Sequence, residues 1–246
     1  MSLALTHAKY HFLETVRVPI AVIGTMFFPA ASMLFFVVPF AGSHSAAATY
    51  ATGAMTVFAT MSACLFQYGI SVAEDRAQPW EPFTRTLPVG AAPRFIGRVI
   101  NVGVMTLLAL LPVLLIAALL TEATVSVPGL LLGAVALLVT AVPFSLLGLT
   151  VGYALPSRAA LAVTQLLFFP MAFGGGLFFG GPDRMPSFLE HVAPFLPTRG
   201  AVELVWTATT DFSPEPTSLI ALGVWTAATA GTAVWAFRRD QGRRFR

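Results

Sequence analysis

Charge is the scarcest property of this 246-residue sequence. Only 10% of its residues are Asp, Glu, Lys or Arg, against about 25% in soluble domains. Five stretches contain no such residue at all: 18–73, 99–121, 123–157, 159–182 and 216–237. A helix needs about 20 apolar residues to cross a membrane, so the first stretch is long enough for two crossings and each of the others for one. The sequence therefore predicts an all-α integral membrane protein with six transmembrane helices.

Several chemical motifs are also missing. Cys64 is the only cysteine, which excludes a disulfide framework and a cysteine zinc site. The sequence has no His-Glu-x-x-His motif, no Gly-x-Ser-x-Gly motif and no Gly-x-x-x-x-Gly-Lys-[Ser/Thr] phosphate loop. The predicted spans also lack the ionisable residue that ion-coupled carriers need at membrane depth. We therefore expect no catalysis, cofactor or metal on this chain, and any ATP hydrolysis would belong to a separate polypeptide.

The positive charges predict the topology. We place the spans at residues 18–40, 47–72, 99–120, 128–153, 159–180 and 217–237. Twelve of the fourteen basic residues then lie on one side: Lys9, Arg17, Arg76, Arg85, Arg94, Arg98, Arg158, Arg238, Arg239, Arg243, Arg244 and Arg246. The positive-inside rule predicts that this side, with both termini, is the cytoplasmic side of the cell membrane. The basic residues flank the spans, so their excess indicates topology and not nucleic-acid binding.

The connections between spans are too short for a separate soluble domain, so residues 1–246 are predicted to form one membrane domain. Residues 1–17 place Leu5, Phe12 and Val16 on one face, which favours an amphipathic helix at the membrane interface over a frayed tail. Residues 74–98 mix charges with large apolar groups. That mixture fits docking on another protein, and it equally fits arginines that set the topology, with Trp80 at the lipid interface.

The segment between spans five and six, residues 181–215, has a different character. Pro170 and the run Gly174–Gly176 are expected to break the fifth helix near its outer end. Three apolar residues then recur at helical spacing: Phe188, Leu189 and Val192. The pattern predicts a short amphipathic helix or a re-entrant turn at the outer membrane face.

Small residues four apart flank the fourth span, as Gly129-x-x-x-Gly133 and Gly148-x-x-x-Gly152. Such pairs let two helices approach closely. They are compatible with packing inside this chain and with a contact between subunits.

Two motifs carry a resemblance to a known family. One is Glu74-Asp75-Arg76 followed by Trp80-Glu81, Arg85, Leu87-Pro88 and Gly97-Arg98. The other is Gly174–Phe179 followed by Pro186-x-x-Leu189 and Pro194-x-x-Pro197. With the six spans, they resemble the membrane subunits of type-2 ABC exporters, a group that includes daunorubicin-resistance permeases and O-antigen or teichoic-acid exporters. The chain departs from that pattern at Pro79-Trp80, where Gly-Thr is frequent, and at Gly174-Gly175, where Ser-Gly is common.

The resemblance implies an exporter in which two membrane subunits, identical or related, pair around a pathway. Each would sit on a separate cytoplasmic ATPase that binds ATP and magnesium. The residues implied to contact the ATPase are Glu74, Asp75, Arg76, Trp80, Glu81, Arg85, Pro88 and Arg158. Those implied to form an outer gate are Gly174, Gly175, Phe178, Pro186, Pro194 and Pro197. Spans rich in Phe, Met and Leu fit an amphipathic, lipophilic or lipid-linked cargo, and they fit plain lipid exposure as well.

Other functions stay open at this stage. A membrane scaffold or assembly subunit would use the same helices for packing alone and would bind no ATPase. A secondary carrier of hydrophobic solutes is disfavoured by uncharged spans and by the lack of an evident inverted repeat. An intramembrane enzyme is disfavoured by the missing catalytic motifs.

Overall fold

The computed structural model of the chain describes residues 3–17, 19–79 and 91–243, which form helices and contain no β-strand. The α-helices are α1 (Leu3–Val16), α2 (Pro19–Ser32), α3 (Val38–Ala41), α4 (Ser45–Ala77), α5 (Ala91–Leu120), α6 (Val127–Ala154), α7 (Ser157–Gly174), α8 (Ser187–Glu190), α9 (Pro197–Thr209) and α10 (Pro216–Arg243). A π-helical turn, Met33–Val37, joins α2 to α3, and 3-10 turns cover Pro182–Arg184 and Ala193–Phe195. The predicted all-α fold is confirmed.

Five helices of the described residues are long and apolar enough to cross a membrane, namely α4, α5, α6, α7 and α10. The first predicted span, 18–40, is less regular, because the π turn interrupts its helix between α2 and α3; among the residues whose side chains are described, its apolar helix is the shorter Thr25–Ala41. That turn ends just before Pro39, which has no N–H to donate and whose ring crowds the preceding turn. The chain is therefore a multi-pass membrane protein whose predicted six crossings correspond to five long helices and this shorter segment.

Helix α4 lies at the centre of the bundle. In its most apolar window 78% of the residues are buried, against 28–33% in the other four long helices. The mean hydropathy of α4 is nevertheless only 1.3, whereas that of α5 is 2.7. Small residues such as Ala51, Gly53 and Ala54 lower that value and let neighbouring helices approach closely. The two most hydrophobic helices, α5 and α6, are largely exposed on the outside of the bundle, as is the less hydrophobic α7.

The two ends of the bundle differ in charge. Helices α4 and α6 end where α5 and α7 begin, and there the Ser157 hydroxyl donates to the Ala73 carbonyl over 3.0 Å. We call this the basic end, because Arg76, Arg98 and Arg158 lie there. At the opposite end, the hydroxyls of Ser45 and Thr124 lie 3.0 Å apart, so α4 starts beside the loop that precedes α6.

Helix α1 packs on α5 at the basic end. A Cβ atom on Gly97 would lie 2.7 Å from the His7 Cβ and 2.9 Å from the Ala8 nitrogen, so only glycine admits this approach. The helix over Leu3–Val16 agrees with the predicted helix over 1–17 and not with a frayed tail. Its location at a membrane interface stays a prediction.

The paired glycines of α6 serve packing within the chain. A Cβ on Gly148 would lie 2.9 Å from the Tyr68 Cβ in α4, and one on Gly152 would lie 2.5 Å from the Tyr68 carbonyl oxygen. Gly129 and Gly133 contact the last residues of α9 in the same way. Of the two interpretations that the sequence allowed for these pairs, intrachain packing is confirmed.

Candidate functional site at the two ends of the bundle

Arg76, in the last turn of α4, joins three helices at the basic end. Its Nη1 donates to the carbonyls of Gly152 (2.7 Å) and Leu155 (3.1 Å) at the end of α6. Its Nη2 bonds Asp240 Oδ1 in α10 over 2.5 Å. Carbonyls in the last turn of a helix have no partner within it, and they attract a cation. Since the Asp240 side chain is only 3% exposed, this is a buried connection between α4, α6 and α10.

A second ion pair at this end joins α4 to α5. The Arg98 guanidinium donates to the Asp75 carboxylate. This ion pair links α4 to α5, and the Ser157–Ala73 hydrogen bond links α4 to α7. The last two turns of α4 are thus the junction of the basic end.

The predicted ATPase-contact residues fall into three groups. Asp75 and Arg76 form the intrachain ion pairs just described. Glu74 and Arg158 are exposed on the surface of the basic end. Trp80, Glu81, Arg85 and Pro88 lie outside the described residues. The structure therefore places Asp75 and Arg76 in two separate ion pairs within the chain, and leaves Glu74 and Arg158 accessible to a partner.

At the opposite end, α9 is a re-entrant helix that begins inside the bundle. The Trp225 indole, nine residues into α10, donates to the Phe195 carbonyl over 2.9 Å. At 1.5 Å per residue, this places the start of α9 about 14 Å below the start of α10. Its last residue, Thr209, lies beside Gly129 and Gly133 at the start of α6. The chain thus turns back into the bundle after α7 and leaves again along α9.

A buried ion pair lies within α9. Arg199 Nε donates to Glu203 Oε1 over 2.5 Å, and Glu203 is fully buried. The same carboxylate accepts the Glu215 backbone N–H (2.9 Å) and the Ser218 hydroxyl (3.3 Å) at the start of α10. The Arg199 guanidinium also lies 5.3 Å from the ring centre of Trp206, whose indole donates to the Tyr50 carbonyl over 2.8 Å. The pair therefore ties α9 to α10, and Trp206 ties it to α4.

Three of the predicted gate residues meet where α7 ends and α9 begins. The break expected at Gly174–Gly176 is present, because α7 ends at Gly174 and Gly176 has a φ of +84°. A Cβ on Gly175 would lie 2.0 Å from the Thr198 hydroxyl oxygen, which donates to the Met171 carbonyl over 2.7 Å. Gly174 contacts Leu196, which directly precedes Pro197. Pro170 stays inside the helix and does not end it.

The other predicted gate residues lie apart from this junction. The Phe178 ring packs 5.2 Å from Phe58 in α4 and 5.5 Å from Phe36 in the π turn. Pro186 precedes the single turn of α8, and Pro194 lies in the 3-10 turn before α9. The outer helix predicted around Phe188 is thus one turn long, and the main helix of the segment is α9.

Sequence reasoning missed α9 and Asp240. The sequence pattern predicts a short amphipathic helix or a re-entrant turn around Phe188 within residues 181–215, but no helix over 197–209, where Arg199 and Glu203 lie. The signals for that helix were Pro197, a favoured first helical residue, and the spacing of four between the opposite charges. Asp240 carried no local signal, because its partner Arg76 is 164 residues away.

Comparison with known proteins identifies the family. Residues 3–208 match the profile of the family described as ABC-2 type transporter. This chain belongs to that family. The ABC-2 match begins with α1 and extends through all but the last residue of α9, so it includes Arg76 and the re-entrant helix and ends before α10 and Asp240.

A curated relative agrees with the ABC-2 assignment. The chain is 26% identical over 155 residues to the protein named "Putative transport permease YvfS" of Bacillus subtilis (strain 168). The alignment covers 61% of this chain and 63% of that relative. The chain thus spans less than two thirds of the relative it matches.

Proposed function

We propose that this chain is the membrane subunit of an ATP-driven exporter whose ATPase is a separate polypeptide. The ABC-2 family match is the single observation that carries the proposal. Two such subunits, identical or related, would pair around the pathway. The cargo would be amphipathic, lipophilic or lipid-linked.

The proposed ATPase contact is the basic end. Glu74 and Arg158 are exposed there. Arg76 joins α4, α6 and α10 directly behind that surface. A force applied to the last turn of α4 would therefore reach two other long helices, α6 and α10, through bonds of 2.5–3.1 Å. This geometry supports a conversion of ATPase movement into a concerted tilt of helices.

The proposed moving element at the other end is the junction of Gly174, Gly175 and Pro197. Helix α9 is held to α10 and α4 and contacts α7 where Gly175 leaves no room for a side chain. A tilt of α10 or α4 would carry α9 with it and change its contact with α7. This arrangement supports a gate between the end of α7 and the start of α9.

The Arg199–Glu203 pair is relevant to the alternative hypothesis that the chain is a secondary carrier, because the pair places ionisable groups inside the bundle. Proton-coupled carriers need a buried group that can change its charge state during transport. Glu203 instead accepts three hydrogen bonds, one of them from a guanidinium. A carboxylate engaged in this way favours a structural tie between helices, and the exporter remains the preferred function.

We expect the basic end to face the cytoplasm, and cysteine labelling tests this. Cys64 is 1% exposed, so the unaltered chain should give little background with a membrane-impermeant maleimide. In sealed right-side-out vesicles Glu122→Cys should be labelled, and Arg158→Cys should react only after permeabilisation, because the two exposed positions lie at opposite ends. Labelling of Arg158→Cys alone before permeabilisation would reverse the proposed orientation.

The ATPase contact predicts uncoupling by charge reversal. Glu81→Lys or Arg85→Glu should abolish export while the chain still inserts in the membrane, because charges set the register of a docking surface. The measurement is cargo export together with the amount of chain in purified membranes. Glu122→Lys, an exposed charge reversal at the opposite end, serves as the matched control and should export normally. Normal export by both basic-end variants would exclude this contact.

A further inference from the structure

A cavity of about 500 Å³ lies between α1, α2, α4 and α5 near the basic end. Its volume is within the range of about 300–1,000 Å³ that is usual for small-molecule sites. Part of its wall is apolar and aromatic, with Phe28 from α2 and Phe66 and Ile70 from α4. The remainder is polar and is contributed by all four helices, with Thr25 as the polar residue of α2.

The polar wall carries an excess of negative charge. Glu14 of α1 and Glu74 and Asp75 of α4 supply three carboxylates, and Arg98 supplies one guanidinium, which is bonded to Asp75. Among the described residues of the wall, Glu14 and Glu74 have no arginine or lysine as an ion-pair partner. Both carboxylates are solvent-exposed, Glu14 with 74% of its side chain accessible, so they would attract a positive ligand at the mouth of the cavity.

The histidine in this wall adds little positive charge. Burial, and then the nearby Arg98 guanidinium, lower the pKa of His11 below its usual value, so its ring is largely neutral at pH 7. Its Nδ1 lies 3.9 Å from the nearer Glu14 oxygen, outside hydrogen-bond distance. The carboxylate of Glu14 thus stays available to a ligand.

Asn101 supplies an independent indication of a ligand. The residue is only 6% exposed, it lines the cavity, and its Oδ1 has no hydrogen-bond partner among the described residues. A buried acceptor without a donor costs about 1–3 kcal/mol. Asn101 lies one helical turn after Arg98 on the same face of α5. A donor placed in the cavity would satisfy this oxygen.

We propose that this cavity binds an amphipathic organic cation, that is, a protonated amine attached to an apolar or aromatic body. The ammonium group would lie near Glu14 and Glu74 and donate to Asn101 Oδ1. The body would pack against Phe28 and Phe66, whose ring faces also attract cations. That the cavity binds such a cation follows from the cavity residues alone. That the cation is also the transported cargo rests on the proposed exporter function.

Binding to the purified full chain in mild detergent tests the proposal without any ATPase. The probe is dansylcadaverine, a primary amine whose dansyl fluorescence shifts to the blue in apolar surroundings. Its matched controls are the neutral N-acetyl derivative and the anionic dansyl-aminohexanoate. The cation should bind saturably, and both controls should bind at least about tenfold more weakly, since tenfold corresponds to the loss of one charge-assisted hydrogen bond. Equal affinity for the three probes would overturn the proposal.

Two variants locate the site. Asn101→Leu and Glu74→Gln should each weaken the cation about tenfold, as expected for one hydrogen bond or one charge lost. Asn101→Leu should leave the melting temperature unchanged or higher, because it removes an acceptor without a partner. Glu122→Gln, at the opposite end, should bind as the unaltered chain does. Unchanged affinity in both Asn101→Leu and Glu74→Gln would overturn the proposal, and Glu74→Gln keeps the test valid if Asn101→Leu fails to fold.

The same assay distinguishes two sources of the ammonium group. Displacement of the probe by phosphatidylethanolamine but not by phosphatidylglycerol would support the site and identify an aminophospholipid as its occupant. Retention of the probe against both lipids would support a soluble amine. Displacement by phosphatidylglycerol alone would contradict a cation site. An export assay on the same chain is separate, so failure of export and failure of binding are distinguishable.

Discussion

Glu203→Met is expected to lower the free energy of unfolding by roughly 3–5 kcal/mol. The substitution leaves Arg199 buried with its charge unpaired, and it removes the acceptor for the Glu215 N–H and the Ser218 hydroxyl at the start of α10. An uncompensated buried charge is among the most destabilising changes a protein interior can undergo. Thermal unfolding of the detergent-solubilised chain, followed by size-exclusion chromatography, measures the loss.

A double substitution separates charge from packing. Arg199→Met combined with Glu203→Met should be more stable than Glu203→Met alone, because replacing both members of a buried pair by apolar residues avoids the unpaired charge. Glu190→Met, at an exposed position in α8, is the matched control and should melt close to the unaltered chain. If Glu203→Met has the same melting temperature as Glu190→Met, Arg199 and Glu203 do not form a buried ion pair.

Gly152→Leu is expected to disrupt the crossing of α4 and α6. Any Cβ at this position would lie 2.5 Å from the Tyr68 carbonyl oxygen and 2.8 Å from the Val72 Cβ, and backbone atoms cannot move aside cheaply. Overpacking of this kind costs roughly 1–3 kcal/mol or more. A shift of α6 would also move the Gly152 carbonyl, which accepts from Arg76. We therefore expect both a lower melting temperature and loss of export.

Gly231→Leu is the matched control for this prediction. Gly231 lies within α10, and a Cβ there would meet nothing within 4 Å. Since leucine favours helix more than glycine, this variant should be as stable as the unaltered chain or slightly more so. If Gly152→Leu and Gly231→Leu behave alike, α4 and α6 do not cross in the way described.

The long helices could be predicted from the sequence because a membrane demands continuous apolar runs. The predicted spans 99–120 and 128–153 lie within α5 (Ala91–Leu120) and α6 (Val127–Ala154). The end of α7 at Gly174 was predictable as well, because the glycine run lets the backbone adopt the positive φ found at Gly176. These features depend on local sequence.

The re-entrant helix could not be predicted in the same way. Arg199 and Glu203 lower the hydropathy of residues 197–209, so the segment resembles a polar loop. In the fold the two charges neutralise each other four residues apart, which lets α9 be buried among α4, α6 and α10. The predicted spans carry no charge, but the bundle does contain charged residues, because α9 is buried within it.

The Arg76 junction depends on contacts between distant parts of the chain. Arg76 was predicted as a contact for a partner protein, and the structure shows its bonds to Gly152, Leu155 and Asp240. No local pattern relates residues that are separated by 76 to 164 positions. Whether the basic end also binds an ATPase is a question for experiment, and it is the central claim of the proposed function.

Co-purification tests that claim most directly. The chain, carrying an affinity tag, is extracted from its native membrane in mild detergent, its companions are identified by mass spectrometry, and ATP hydrolysis is assayed. The proposed function predicts an ATPase with a phosphate-loop motif, present in equal stoichiometry and lost from the Arg85→Glu variant. A folded chain that carries no ATPase, under conditions that preserve other membrane complexes, would contradict the exporter and favour a scaffold or a secondary carrier.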